Sequence, residues 1–132
     1  MDVIGSKKEK EMTIGVLDDN ASICHLLETL LIFAGHAVYA TTDSTDFAAN
    51  INYLQCIVVD FQLSGRQSGV DVIRQAREVH PRLPAVLVSA SPVPQAALQE
   101  LSDVTILTRP FSSVMLLGAI SAAQKESTGP LP

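Results

Sequence analysis

Five short apolar runs, separated by segments with helical spacing, constrain this chain more than any other feature. They occupy residues 13–17, 36–40, 56–60, 83–89 and 104–107. Runs of this length, rich in valine and isoleucine, read as strands buried on both faces. After the first, Ile23, Leu26, Leu27, Leu30, Leu31 and Ala34 repeat at intervals of three and four, with Asn20 placed to cap the helix and Gly35 just beyond it. Asp43 or Ser44 can cap a short helix that packs Phe47 and Ile51. A further helix carries Val72, Ile73, Ala76 and Val79 and stops near His80, because Pro81 follows. Pro92 and Pro94 stiffen the way into a short helix over 95–101, and Ser112 can cap a last helix with Val114, Leu117 and Ile120. Strands alternating with helices on short connections specify an α/β fold: a doubly wound, five-stranded parallel sheet with right-handed crossovers.

The length of 132 residues suits one domain. Its expected limits are 13–124, with flexible tails at 1–12 and 125–132. No apolar run is long enough to span a bilayer, and the first dozen residues, with Lys7, Lys8, Glu9, Lys10 and Glu11, lack the apolar stretch of a signal peptide. A cytoplasmic protein with no membrane partner is expected. A net charge of −5, with nine basic residues scattered along the chain, argues against a nucleic-acid partner. Cys24 and Cys56 have neither disulfide-type nor zinc-type spacing. The histidines, His25, His36 and His80, have no metal or nucleophile spacing and suit solvated or capping roles.

The run from Cys56 to Asp60 ends on a carboxylate. In an open α/β sheet, ligands bind beyond the carboxyl ends of the strands, so Asp60 points at a site. The same edge collects Asp18 and Asp19 after the first strand, Ser89 after the fourth and Arg109 after the fifth. Three carboxylates at roughly 4 Å repel by about 4 kcal/mol per pair at an effective dielectric of about 20. A positive group belongs among them, and a hard divalent cation such as Mg²⁺ fits the oxygen ligand set. A carboxylate beside Mg²⁺, with a hydroxyl and a cation close by, suits formation of an aspartyl phosphate.

The motifs Val16-Leu17-Asp18-Asp19-Asn20, Val58-Val59-Asp60, the loop from Leu63-Ser64-Gly65 to Ser68-Gly69-Val70, Val88-Ser89-Ala90 and Arg109-Pro110-Phe111 together resemble a two-component response-regulator receiver domain of the single-domain, CheY-like kind. The similarity runs over residues 13–123. It implies a flavodoxin-like (βα)5 sheet in the order 2-1-3-4-5. It also implies that Asp60 is the phosphoacceptor, that Asp18, Asp19, Asp60 and the backbone carbonyl of Gln62 hold Mg²⁺, and that Ser89 binds the phosphoryl oxygen while Ala90 keeps the entrance open. The Arg109-Pro110 bond is a candidate cis peptide. The resemblance implies a stand-alone phosphorelay component that is phosphorylated by a histidine kinase or phosphotransfer protein and signals to a downstream target. Such a protein is a monomer or weak homodimer, and not an enzyme beyond self-phosphorylation and self-dephosphorylation.

Two positions depart from the pattern. Arg109 stands where the family carries lysine, and a planar guanidinium is not a conservative replacement for an ammonium at a crowded site. Ile106 stands where an aromatic residue changes rotamer as the serine or threonine moves. These departures motivate an alternative, a phosphorylation-independent interaction module. A haloacid-dehalogenase-type phosphatase is disfavoured because Asp18 is followed two residues on by Asn20. A flavin site is disfavoured because the acidic loop after the first strand would repel a phosphate.

Overall fold

The computed structural model describes residues 11–65, 67–99 and 101–127. Strands β1 (Thr13–Leu17), β2 (Ala37–Thr41), β3 (Cys56–Asp60), β4 (Ala85–Ser89) and β5 (Val104–Thr108) form one parallel sheet in the order β2-β1-β3-β4-β5. Helices α1 (Ala21–Phe33), α2 (Ser44–Ala49), α3 (Gly69–Val79), α4 (Gln95–Leu98) and α5 (Ser113–Ser127) connect and cover it, with one 3-10 turn at Ile51–Tyr53. The fold class is therefore the expected one. The strand order reverses between β1 and β3, and the crevice beyond their carboxyl ends is where such a sheet binds ligands.

Successive strand residues alternate between two cores. Ile14, Val16, Cys56, Val58, Val86 and Val88 pack with Leu27, Leu31, Leu116 and Ile120 of α1 and α5. Leu17, Ile57, Val59, Ala85 and Leu87 pack with Phe47, Ile73 and Ala76 of α2 and α3. Both faces of β3 are sealed, which is why its sequence is apolar without alternation. Gly15 lets the second layer approach: a Cβ there would strike the Leu54 side chain and crowd Phe47.

The helices begin where their caps dictate. Asn20 Oδ1 accepts from the N–H groups of Ser22 and Ile23, and Asp43 accepts from Thr45. Gly35, at φ +101°, closes α1 in the left-handed conformation that glycine adopts without penalty. Ser68 and Asp71 form a reciprocal capping box at α3, legible afterwards as Ser-x-x-Asp. Arg77 of α3 reaches under β4 to donate to the carbonyls of Leu83, Ser102 and Asp103, fastening the α4–β5 connection.

Several boundaries differ from expectation. Helix α4 ends at Leu98 rather than 101. Met12, expected in a tail, is 5% exposed; its N–H donates to His36 Nδ1 at 3.2 Å, and its sulfur lies 2.9 Å from Gln124 Nε2. His36 is thereby buried rather than solvated. Helix α5 continues through Ser127, past the expected limit at 124. The remaining tail residues, 1–10 and 128–132, lie outside the described residues, as does most of the Lys7 to Glu11 run. On α1 the buried residues are Cys24, Leu27 and Leu31, while Leu26 is 46% exposed. On α5 Leu116 is buried and Val114 is exposed. Among the described residues, no helix is long and apolar enough to cross a membrane.

Candidate functional site

Asp18 follows β1, Asp60 closes β3, Ser89 closes β4 and Arg109 follows β5, so the parallel register alone brings these residues to one edge. Carboxylate oxygens of Asp18, Asp19 and Asp60 lie within 4.8 Å of one another. Asp18 and Asp60 are buried, and Asp19 is exposed at the mouth. Asp18 Oδ1 accepts the Asn20 N–H at 2.9 Å, whereas its buried Oδ2 has no hydrogen-bond partner.

The α3 end of the crevice is closed by backbone. The Gln62 N–H donates to Asp60 Oδ1 at 3.4 Å, and Gln62 bridges to Ser68 across the β3–α3 loop. The Gly69 N–H donates to the Phe61 carbonyl at 2.9 Å. This return path requires glycine, because a Cβ at residue 69 would strike the carbonyl oxygen of Asp60. The motif Ser68-Gly69-Val70 carries no sign of this steric role in the sequence alone.

On the opposite side, Arg109 Nη2 stands 3.8 Å from Asp60 Oδ1. The Arg109 N–H donates to the Ser89 carbonyl at 2.8 Å, tying β5 to β4 at the site, and the Arg109-Pro110 peptide is cis. Ser89 is buried, but its hydroxyl donates to the Ser91 carbonyl while the Ser91 N–H donates back to Ser89 Oγ at 3.2 Å. Ala90 is exposed and lines a groove of about 380 Å³ with Ile23, Leu26, Arg109, Pro110 and Phe111. Leu26, expected on the apolar stripe of the first helix, thus stands at the groove, together with Phe111, which also packs against the core. Ile106 lies on the other face of the sheet, against the core that includes Leu87 and Ile57.

Burial sets the electrostatics. Desolvation raises the Asp60 carboxyl to about 6, with the Asp18 charge adding and the Gln62 N–H and Arg109 opposing. Desolvation likewise raises Asp18, against the Asn20 N–H and Arg109. Two buried acids pushed upward, one with an orphaned oxygen, form a set short of positive charge. A hard, oxygen-seeking cation fits that donor set.

The comparisons with known proteins agree with this geometry. No protein-family profile matches the chain. The response regulator protein TodT of Pseudomonas putida is 29% identical over 121 residues, covering 89% of this chain and 53% of TodT. The crystal structure of a response regulator receiver protein from Sinorhizobium medicae superposes with a TM-score of 0.79 at 27% identity, over 89% of this chain and 98% of that one. Over most of its length the chain is similar in sequence and fold to response-regulator receiver domains. Its fold is shared with more distant receivers, such as the chemotaxis protein CheY4 of Vibrio cholerae, with a TM-score of 0.78 at 18% identity over 86% of this chain and 99% of that one. The chain spans about half the length of the curated relatives it matches, with 54% of the virulence transcriptional regulatory protein PhoP of Salmonella choleraesuis covered at 28% identity and 89% of this chain. The matched curated relatives are a response regulator and a transcriptional regulatory protein.

Proposed function

We propose that Asp60 accepts a phosphoryl group from a histidine kinase or phosphotransfer protein, and that the receiver passes this state to a downstream protein by direct contact. The observation that carries the reading is the cluster of Asp18, Asp19 and Asp60, with oxygens within 4.8 Å, at the reversal point of the sheet. In the transfer, the ionised Asp60 carboxylate attacks phosphorus. The new bond joins a carboxylate oxygen to phosphorus, the bond from phosphorus to the donor histidine nitrogen breaks, and the imidazole leaves with that electron pair. Asp18, Asp19, Asp60 and the Gln62 carbonyl would hold Mg²⁺, whose charge offsets the repulsion between the carboxylates and the incoming phosphoryl oxygens. Arg109 supplies a cation on the other side, and Ser89 supplies a hydroxyl once it turns away from Ser91.

Incubation with acetyl phosphate and Mg²⁺, followed by intact-mass measurement, tests this reading. A gain of one phosphoryl group that is labile to hydroxylamine and absent in Asp60→Asn is expected; an unmodified wild-type chain counts against it. Two observations favour a second reading, a phosphorylation-independent interaction module: the Ser89 hydroxyl is already engaged by Ser91, and a guanidinium already accompanies Asp60. That reading requires partner capture to be the same for wild type and Asp60→Asn.

A further inference from the structure

Arg109 joins two environments. Its Nη2 stands 3.8 Å from Asp60 Oδ1, and its side chain also walls the groove formed with Ile23, Leu26 and Phe111. The guanidinium is underused where it lies. It carries five donors in a rigid fork, yet its contact with Asp60 is longer than a charge-assisted hydrogen bond, and its buried Nε–H has no partner. Other routes out of the site are poorly suited to sensing charge. Ile106 is a hydrocarbon side chain packed on the opposite face of the sheet, and the neutral Ser89 hydroxyl must first leave Ser91.

We propose that Arg109 is the relay that converts the phosphorylation state of Asp60 into a change of the groove beside α1. This rests on the phosphoacceptor reading and specifies how that site is read. A phosphoryl group adds about two negative charges and three strong acceptor oxygens at the position the guanidinium faces. The fork then closes on those oxygens, and Nε–H gains an acceptor. The same movement draws the side chain off the groove wall, so the surface around Ile23, Leu26 and Phe111 changes shape. Leu26 is 46% exposed, so the altered wall is open to solvent. The signal thus leaves through the α1 side of the sheet, away from the single-turn helix α4.

NMR on the full chain, titrated with beryllofluoride and Mg²⁺ as a phosphoryl mimic, tests the relay. In wild type, the Gln62 and Asp19 amides report site occupation. The Ile23 and Leu26 methyls are expected to shift in step with them, and the Arg109 Nε–H resonance to move downfield with added protection from exchange. At saturation judged from Gln62, Arg109→Lys and Arg109→Met are expected to lose more than half of the methyl response, while Ile106→Val keeps it. A full methyl response in both Arg109 variants, or an unchanged Nε–H signal in wild type, overturns the relay and leaves the phosphoacceptor reading standing. A wild-type chain with no change at Gln62 overturns both.

Discussion

Arg109 Nη2 stands 3.8 Å from Asp60 Oδ1, close enough for charge attraction and too far for a charge-assisted hydrogen bond. The guanidinium therefore holds down the Asp60 carboxyl only partly, and burial prevails. Arg109→Gln should raise the Asp60 pKa above its value of about 6, as read by a carbon-13 carboxyl titration. An unchanged value would mean that the two groups are uncoupled.

Stability should depend on pH through the same carboxyl. Its folded value of about 6 lies above the ordinary 3.8, so the folded state binds the proton more tightly than the unfolded chain. That contribution is complete below about pH 4 and is lost as pH rises through about 6. Asp60→Asn removes the cost of the buried charge and should stabilise the cation-free protein at pH 7.5 by up to about 3 kcal/mol. The gain should shrink towards zero at pH 4. Urea unfolding in the presence of a chelator measures both, and equal effects at the two pH values would contradict the assignment of the shift to Asp60.

Mg²⁺ affinity should run the other way with pH. Protonation of Asp60 and Asp18 removes ligand charge, so binding should weaken as pH falls through about 6. At a hundredfold excess over Kd, the ion should stabilise the fold by about 2.7 kcal/mol. Asp18→Asn should abolish most of that gain, because it removes the buried carboxylate whose Oδ2 has no partner. Thermal melts with and without Mg²⁺ at pH 5 and 7.5 decide this.

Gly69→Ala should destabilise the fold by about 1–3 kcal/mol, since the new methyl meets the Asp60 carbonyl oxygen, part of the backbone, rather than a flexible side chain. The same displacement should weaken Mg²⁺ binding. A variant with wild-type stability and affinity would show that α3 can retreat without disturbing β3.

Much of this was legible beforehand because a parallel strand buried on both faces leaves an unambiguous apolar run, and an acid follows β1 and closes β3, so the sheet carries both to one edge. Asn20, Gly35 and Asp43 marked helix ends through local backbone chemistry. The misses are those that depend on neighbours. Leu26 belongs to the helical stripe, yet α1 seats its face around Cys24, Leu27 and Leu31, leaving Leu26 on the rim of the groove. Met12 is core because His36 and Gln124, remote in sequence, close over it. Ser89 closes β4 at the same sheet edge, but nothing in a single sequence says that its hydroxyl would turn to Ser91.

The most direct measurement locates the phosphoryl group. The chain is phosphorylated with acetyl phosphate and Mg²⁺ and reduced with borohydride, which converts an aspartyl phosphate to homoserine; peptide mass spectrometry then reads the position. The phosphoacceptor assignment predicts homoserine at residue 60 and at no other aspartate, with no conversion in Asp60→Asn. Conversion at Asp18 or Asp19, or none in the wild-type chain, would contradict it.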